Sequence, residues 1–247
     1  MDYKTIKYPD GQISVEITDF DGPIKKRINS YEDLIGIVSA GEVLRHQGKS
    51  CDLFIPCLLG QRSDRRFGQD QSFDLKVIAG LINSGGFGNV SILDPHSDVA
   101  LALIDRSTKV SSYQYVAQAY AEEGSPTLVS PDAGAYKKVF EYGQKLGAPV
   151  VAAVKHRDKD GKIDLSFIGD VAGQKCLIVD DLADGGYTFV LLAEALRRQG
   201  AIRVALYVTH AYFNKGFGLL APLIDNIYCT NSVKDIVDPL VTQYNVI

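Results

Sequence analysis

The stretch of residues 176–210 constrains the fold more than any other part of the chain. An apolar run, an acidic loop with glycines, an amphipathic segment and a second apolar run follow one another there without a gap. Residues 176–179 have the composition of a buried parallel strand, and apolar side chains recur at helical spacing over residues 189–196. A second strand over residues 202–208 completes a strand–helix–strand unit, so the chain predicts a parallel sheet of the α/β class.

The loop of this unit lies at the carboxyl end of its first strand, where open parallel sheets bind their ligands. It holds Asp180, Asp181, Asp184, Gly185, Gly186, Tyr187 and Thr188. N–H groups at the start of the helix favour a phosphate, whereas the two adjacent acids repel one but accept hydrogen bonds from sugar hydroxyls or hold a hydrated divalent cation. The loop therefore predicts a sugar phosphate as ligand. The alternative is that these acids and glycines only close the turn.

The composition of the 247 residues, 46% hydrophobic and 23% charged, is typical of globular α/β domains. A net charge of -4 gives no argument for binding to nucleic acid or to a membrane surface. The four cysteines form no C-x-x-C pair, which favours buried reduced thiols and, from them, a cytoplasmic location. No apolar run approaches the length of a membrane span, and the polar start of the chain is unlike a signal peptide.

Strands and helices alternate along the rest of the chain. The patterns predict strands over residues 13–17, 53–58, 90–93, 127–129 and 149–154, and helices over residues 31–46, 73–83 and 135–146. We therefore predict two parallel-sheet domains in tandem, an N-terminal one over residues 1–124 and a C-terminal one over residues 125–247. The last residues are able to return to the N-terminal domain.

Charged residues and one imidazole follow several of these strands. Arg62, Asp64, Arg65 and Arg66 come after the strand over residues 53–58, and guanidiniums so close together bind a polyphosphate bidentately. The alternative is a solvated charge cluster. His96 follows the strand over residues 90–93, where a structural histidine is the alternative to a functional one.

Two more candidates lie in the C-terminal half. Asp132 follows the strand over residues 127–129, and its alternative function is to cap the next helix. Lys155 and Arg157 precede a polar loop over residues 158–164, which predicts a mobile lid with cationic side chains. A charged hairpin without a function is the alternative there.

Short motifs along nearly the whole chain resemble those of ribose-phosphate diphosphokinase, the phosphoribosyl diphosphate (PRPP) synthetase family, and they come in that family's order. VDDLADGGYT at residues 179–188 resembles the ribose-phosphate loop VDDxxDTGGT, which type I phosphoribosyltransferases share. The others are YPDGQ at 8–12, GQRSDRR at 60–66, LDPHSD at 93–98, VSPDAG at 129–134, VKHRD at 154–158, YVTHAYF from 207 and CTNSV from 229. Compared with that family, the chain begins late and has little after Asn231, which predicts a smaller N-terminal sheet.

The resemblance implies a type I phosphoribosyltransferase-like fold and a role for each candidate. It implies that ATP is bound by Tyr8, Asp10, Gln12, Arg62, Ser63, Asp64 and Arg65. Asp10 would hold the adenine, which in that family is often bound across a subunit interface. Gln12 stands where an acid is usual and Ser63 where a glutamine is. The resemblance implies that the ribose phosphate is bound by Asp180, Asp181, Asp184, Gly185, Gly186, Tyr187 and Thr188. His96 and Asp132 become ligands of the Mg²⁺ that accompanies ATP, and Lys155, Arg157 and His96 become the catalytic residues.

The implied reaction is Mg²⁺-dependent transfer of the β,γ-diphosphate of ATP to the anomeric 1-hydroxyl of ribose 5-phosphate. It gives PRPP and AMP, and the resemblance makes the protein a homo-oligomer of nucleotide biosynthesis. A non-catalytic regulatory subunit associated with a synthetase and a phosphoribosyltransferase remain as alternatives. Lys155, Arg157 and His96 together disfavour the first, and the motifs for ATP before residue 100 disfavour the second.

One departure from the family pattern leaves the acceptor open. Residues 184–188 read DGGYT where the family has DTGGT, so a threonine hydroxyl is lost and a tyrosine ring is added. Two adjacent glycines leave room beside the 5-phosphate, and Tyr187 is able to stack on a group attached to it. The same chemistry on a substituted ribose such as ADP-ribose, a reaction of NAD metabolism, is therefore the alternative.

Overall fold

The computed structural model describes the backbone of residues 2–157 and 163–247 and the side chains of residues 3–154 and 165–247. Residues 158–162 of the predicted lid and the side chains of Lys155 and Arg157 lie outside this description. The chain forms two compact units. One runs to Ser111 and includes Ile247, and the other covers residues 112–246.

The first unit combines an antiparallel hairpin with a small parallel sheet. The hairpin consists of β1 (Asp2–Lys7) and β2 (Ile13–Asp19). The sheet and its connecting helices are β3 (Ile24–Lys25), α1 (Tyr31–His46), β4 (Leu53–Ile55), α2 (Asp74–Ser84), β5 (Val90–Leu93), α3 (Val99–Leu103) and β6 (Ser107–Val110). Each strand pairs in parallel with the next, in the order β3-β4-β5-β6.

The helices of this unit cover one face of its sheet. Every connection steps the same way along the sheet, so right-handed crossovers put α1, α2 and α3 on the same side. Leu53 and Ile55 of β4 point into the core formed with these helices and are at most 1% exposed, whereas Phe54 between them is half-buried. Alternation of this kind is typical of a strand that is packed on one face.

The second unit holds a seven-stranded mixed sheet. Its elements are α4 (Tyr113–Glu122), β7 (Thr127–Ser130), α5 (Ala133–Leu146), β8 (Val150–Arg157), β9 (Ile163–Ile168), β10 (Lys175–Ala183), α6 (Tyr187–Arg198), β11 (Arg203–Ala211), β12 (Asn226–Thr230) and β13 (Val241–Tyr244). The strand order is β13-β12-β11-β10-β7-β8-β9, and all neighbours are parallel except β8 and β9.

The direction of winding reverses between β7 and β10, which are neighbours in this sheet. From β7 the chain moves through α5 to β8 on one side, and from β10 it moves through α6 to β11 on the other. The two helices therefore cover opposite faces: Val139 of α5 packs in one core with Leu177, and Leu196 of α6 packs in the other with Ile178. The carboxyl ends of β7 and β10 form a topological switch point, the place where open sheets bind ligands.

All the predicted strands and helices are present, but most of them begin or end at other residues than predicted. The predicted bounds of α1 and β5 are confirmed. β10 was expected to stop before Asp180, but its pairing with β11 continues to Ala183, so Asp180 and Asp181 lie within the strand. β4 ends at Ile55 instead of residue 58, because its pairing with β5 ends there and the next residue is a proline without an N–H.

The compact units divide before α4, whereas the boundary predicted at residue 124 lies after it. Val116 and Ala119 of α4 are fully buried in the same core as Val139 of α5, and this packing joins α4 to the second unit. All four cysteines are buried and free, as predicted. No helix in the described residues is long and apolar enough to span a membrane.

Candidate active site

Asp132 lies at the switch point, between β7 and α5. Its Oδ1 accepts a hydrogen bond from the N–H of Ala135 at 2.9 Å, so it is the N-cap of α5, the alternative that the sequence left open. The hydroxyl of Ser130 donates to its carbonyl oxygen at 2.8 Å. The cap fixes the carboxyl group at the sheet edge, and the predicted function of Asp132 in metal binding stays a prediction.

Asp180 and Asp181 form an acidic pair at the neighbouring carboxyl end, on β10. Asp181 is 8% exposed, Asp180 is half-buried, and Oδ1 of Asp180 accepts a hydrogen bond from the N–H of Asp181 at 2.9 Å. Burial, and then the charge of Asp181, raise the pKa of Asp180 well above its usual value. A pair in which one carboxyl holds a proton can both donate to and accept from sugar hydroxyls.

No pattern in the sequence singles out Lys138, although its charge opposes the rise in the pKa of Asp180. Lys138 is half-buried on α5, between the exposed Lys137 and the buried Val139, in a helix whose first turn is held by Asp132. Its proximity to β10 follows from the sheet order, which makes β7 and β10 neighbours, and this order is not visible in the sequence pattern.

The loop after β10 leads directly into α6. Gly186 has φ 80° and is the N-cap of α6, with no capping side chain. The first bonds of the helix are those that N–H groups of Phe189 and Val190 donate to the carbonyl of Gly186, at 3.0 and 3.2 Å. The N–H groups of Tyr187 and Thr188 precede them, so they have no partner within the helix and suit an anion.

Asp184 and Tyr187 differ in how firmly the structure holds them. Oδ1 of Asp184 accepts a hydrogen bond from the side-chain amide of Asn214 at 2.7 Å, and its carbonyl accepts one from the N–H of Asn214 at 3.0 Å. The Tyr187 side chain is 64% exposed. The acid is thus fixed against the loop after β11, while the ring next to it is open to a ligand.

A buried polar cluster lies behind this edge, at the ends of β11 and β12, in the motifs YVTHAYF and CTNSV. Nδ1 of His210 lies 3.0 Å from the Ser232 hydroxyl, and the hydroxyls of Thr230 and Ser232 donate to the carbonyl of Thr209 at 2.7 and 3.2 Å. All four residues are fully buried. They join the ends of the two strands and do not reach the surface where the ligand is predicted.

In the first unit, the cluster after β4 contains a buried acid and exposed cations. Asp64 is 6% exposed, and its Oδ1 accepts a hydrogen bond from Nε of Arg65 at 2.8 Å. This bond lowers the pKa of Asp64, with smaller contributions from Ser97 and His96. Arg62, Arg65 and Arg66 are exposed and Ser63 is half-buried. The acid anchors the segment and leaves its cations on the surface.

His96 is exposed after β5, and a residue that sequence reasoning missed holds its backbone. Gln61 is 3% exposed, its Oε1 accepts a hydrogen bond from the N–H of His96 at 3.1 Å, and its Nε2 donates to Sγ of Cys57 at 3.5 Å. Gln61 therefore joins the loops that follow β4 and β5. Its position directly after the run of residues 57–60, which has no charged residue, was the signal that could have identified it.

The turn of residues 8–12 connects β1 to β2. The N–H of Tyr8 donates to the carbonyl of Gln12 at 2.9 Å, and Oδ1 of Asp10 accepts from the N–H of Gln12 at 3.0 Å. The chain therefore makes a simple turn between these strands. Tyr8 is 45% exposed, and binding of adenine by this turn stays a prediction.

Lys155 and Arg157, the predicted catalytic pair, can be placed only through their backbone. Both residues belong to β8, opposite Leu165 and Ile163 of β9 in an antiparallel pair. The structure thus puts them on an edge hairpin of the second sheet, next to β7. Their predicted action on the triphosphate remains a prediction.

The metal proposal rests on few ligands. In the described part of the chain, no three His, Cys, Asp or Glu side chains converge as a metal site. Mg²⁺ keeps much of its water and binds mainly through substrate phosphates, so a single imidazole at His96 or a single carboxylate at Asp132 suits such an ion without a closed cage. Each residue by itself is compatible with Mg²⁺ that arrives with a nucleotide.

Comparisons with known proteins agree with this geometry. The model of the phosphoribosyl synthetase-associated domain matches residues 130–243. A ribose-phosphate pyrophosphokinase of Thermosipho africanus is 28% identical, over 92% of this chain and 77% of the relative. One of Maricaulis maris is 29% identical, over 72% of this chain and 59% of the relative, and one of Brucella melitensis is 31% identical, over 63% and 52%. The chain thus spans little more than half the length of some of these relatives.

The fold has a match among solved structures. The crystal structure of phosphoribosylpyrophosphate synthetase from Mycobacterium smegmatis superposes with a TM-score of 0.82 over 99% of this chain and 86% of that chain, at 20% identity. At this identity the match shows the fold alone. Sequence relatives and fold agree, so the chain is similar to ribose-phosphate pyrophosphokinases (PRPP synthetases) and has a type I phosphoribosyltransferase-like fold.

Proposed function

We propose that this protein is a pyrophosphokinase that transfers the β,γ-diphosphate of ATP to the anomeric hydroxyl of ribose 5-phosphate. The 1-hydroxyl oxygen attacks the β-phosphorus, the bond from that phosphorus to the oxygen of the α-phosphate breaks, and AMP leaves in line. The proton of the hydroxyl passes to solvent or to a nearby carboxylate. No covalent enzyme intermediate is required, so the protein contributes positioning and charge.

The switch-point edge of the second unit carries this proposal. Its acidic pair, Asp180 and Asp181, suits the diol of a ribose, and the uncapped start of α6 at Gly186 suits its 5-phosphate. The two features lie on one continuous segment that joins β10 to α6. A ligand that offers both a diol and a phosphate therefore matches the edge better than either group alone.

The first unit supplies the nucleotide side of the proposal. Arg62 and Arg65 are exposed, Arg65 is paired with the buried Asp64, and exposed guanidiniums so close together suit a polyphosphate. Mg²⁺ would be held in this unit by His96 and would neutralise charge that develops on the phosphates of ATP. Lys155 and Arg157 would add cationic groups from the lid.

Formation of AMP tests this function. Purified protein with ATP, Mg²⁺ and ribose 5-phosphate should give AMP and a 1-diphosphate product in equal amounts, as measured by chromatography and mass spectrometry. Release of ADP instead of AMP would contradict the transfer of a diphosphate. Absence of AMP with every acceptor would favour a non-catalytic regulatory subunit, which the match to the phosphoribosyl synthetase-associated domain also allows.

A larger acceptor is the second candidate, and the loop itself favours it. Tyr187 is 64% exposed at the first position of α6, and a Cβ at Gly185 would meet only the Lys215 side chain within 4 Å. The space beside a bound 5-phosphate is therefore open on one side and lined by an aromatic ring. A base attached through a diphosphate, as in ADP-ribose, could stack on that ring.

Competition between the two acceptors separates these candidates. With ribose 5-phosphate and ADP-ribose at equal concentration, the mass of the 1-diphosphate product reports the preferred one. Tyr187→Ala should weaken binding of ADP-ribose only, because only ADP-ribose has a base that would contact the tyrosine ring. A product made solely from ribose 5-phosphate, with no effect of Tyr187→Ala, would remove the second candidate.

We also propose that the protein acts as a cytoplasmic homo-oligomer. The proposal rests on the family resemblance, in which Asp10 often binds adenine across a subunit interface, and on four buried free thiols. Light scattering at working concentration tests the assembly. A monomer with full activity would contradict the oligomer.

A further inference from the structure

Two loops at the switch-point edge are bound to each other. The N–H groups of Tyr212 and Phe213, after β11, donate to the carbonyl of Ala183 at 2.9 and 3.2 Å. Asn214 adds one bond from its backbone and one from its side chain to Asp184, at 3.0 and 2.7 Å. Four hydrogen bonds therefore fix the position of the next residue, Lys215, relative to residues 184–188, the loop proposed to bind the phosphate and called the phosphate loop below.

The stem of Lys215 lies along the phosphate loop. A Cβ built on Gly185 would be 3.7 Å from Cγ of Lys215, which is ordinary van der Waals contact. The side chain is exposed, and within the described residues its ammonium group makes no hydrogen bond or ion pair. Three rotatable bonds beyond Cβ let Nζ reach a group bound over Gly185 and Gly186.

The acids of the edge favour a cation beside a bound phosphate. Three carboxyl groups, those of Asp180, Asp181 and Asp184, lie on the segment that binds the proposed 5-phosphate, and like charges repel at this range. The helix start at Gly186 offers N–H groups but only partial charge. An unpaired ammonium on the neighbouring loop supplies the full positive charge that offsets the acids.

From these observations we infer that Lys215 binds the phosphoryl group of the acceptor, as a substrate-binding residue contributed by the loop after β11. The inference deepens the proposed function and rests on it, since it names a binding residue for the same acceptor. It also accounts for how a loop that has glycine where its family carries a threonine hydroxyl can hold a phosphate. Lysine serves here as a point charge, which tolerates different phosphate geometries.

Lys215→Met is the critical variant, because it keeps the apolar stem over Gly185 and removes the charge. Binding of ribose 5-phosphate and of inorganic phosphate is measured by calorimetry without ATP, and the acceptor KM and kcat are measured with it. We expect binding about tenfold weaker and KM about tenfold higher, with little change in kcat, from the loss of one charge-assisted bond. Lys215→Arg should retain most of the affinity.

Lys175→Ala is the matched control. It removes the same charge from the amino end of β10, at the opposite edge of the sheet, where Lys175 only donates to the carbonyl of Glu123 at 3.4 Å. The control should bind ribose 5-phosphate as the unmodified protein does. Equal losses in Lys175→Ala and Lys215→Met would show a general effect of net charge and would overturn the inference.

The binding measurement separates this inference from the proposed function. If no acceptor yields AMP but Lys215→Met still loses phosphate affinity, the reaction is wrong and the binding residue stands. If the unmodified protein forms AMP and Lys215→Met binds and converts the acceptor as well as the unmodified protein does, the proposed reaction stands and Lys215 is not a binding residue. Absence of any phosphate binding by the unmodified protein would overturn both.

Discussion

The two parallel sheets of this molecule differ in how their strands are ordered, and the difference decides what each edge can bind. The first sheet runs β3-β4-β5-β6 without a reversal, so its helices cover one face and no crevice opens between neighbouring connections. The second reverses between β7 and β10, so α5 and α6 diverge to opposite faces. Only the second sheet therefore has a switch point at its carboxyl edge.

The residues at the two edges match this difference. At the second edge the acids are built into β10 and the phosphate loop enters a helix, as a small ligand held from several sides requires. At the first edge the guanidiniums of Arg62 and Arg65 lie on the surface of an irregular loop, held by the buried Asp64 and Gln61. The comparison agrees with the division of function that we propose, in which the second unit selects the acceptor and the first unit binds the nucleotide.

The largest effect is expected on β8 of the second unit. Arg157→Ala and Lys155→Ala should each raise the barrier by about 3 kcal/mol, a fall in kcat of roughly 100-fold, because each removes a preorganised cation from the transition state. KM values for both substrates should change much less. Steady-state kinetics measures this, with thermal unfolding of the same samples as a check on folding. Near-normal kcat in both variants would remove the lid from the mechanism.

Gly186→Ala should disturb the switch-point edge next most strongly. The residue has φ 80°, and a Cβ there would be 3.2 Å from Cδ1 of Leu220, so we expect a loss of about 1–2 kcal/mol in stability and a higher acceptor KM. Gly173→Ala is the control, because it has φ 70° with nothing within 4 Å of an added Cβ. The control should lose stability through the backbone alone and keep the acceptor KM. An unchanged acceptor KM in Gly186→Ala would argue against phosphate binding at α6.

Asp180→Asn should stabilise the protein and weaken binding of the acceptor. A carboxyl whose pKa is raised on folding contributes stability that is fully present below its unfolded pKa and is lost as the pH rises through its folded pKa. The asparagine avoids that loss and can still accept the bond from the N–H of Asp181. The gain in Tm should therefore be larger at pH 8 than at pH 4, and the gain in free energy of unfolding at pH 8 should be roughly 1–2 kcal/mol. The acceptor KM of this variant should be about tenfold higher than that of the unmodified protein.

Asp170→Asn is the control for replacing a carboxyl by an amide. Its Oδ1 accepts from the N–H of Ala172 at 2.9 Å in an exposed turn before β10, so the same kind of bond is retained there. Calorimetric scans across pH measure both variants. A Tm difference for Asp180→Asn that does not grow with pH would contradict the assigned effect of burial.

The smallest effect is expected in the first unit, from Gln61→Leu. The change removes the acceptor for the N–H of His96 and should cost about 1 kcal/mol, since a net hydrogen bond of this kind contributes that much. KM for MgATP should rise several-fold while the acceptor KM stays constant. Gln118→Leu, on the exposed side of α4, is the control. If the acceptor KM changed as much as that of ATP, the division of function between the two edges would fail.

Much of the fold was predictable from the sequence because its signals are local. The bounds of α1 follow from Ser30, whose hydroxyl accepts from the N–H of Asp33 at 3.1 Å, and from cations in its last turn. The apolar run that became β10 and the spacing that became α6 identified the strand–helix–strand unit. Six strands and two helices were not predicted, because most of them are short or mix polar with apolar residues and therefore carry little periodicity. They are β1, β3, β6, β9, β12, β13, α3 and α4.

The sequence by itself determined the alternation of strands and helices, the acidic loop before α6 and the likeness to one family, since these depend on residue types at fixed spacing. The tertiary structure alone decided the strand order, and with it the switch point, the burial that raises the pKa of Asp180, and the neighbours Lys138, Asn214 and Lys215. The physical reason is that strand pairing joins residues far apart in the chain. Local patterns specify which segments become strands, whereas the packing of both sheet faces specifies which strands become neighbours.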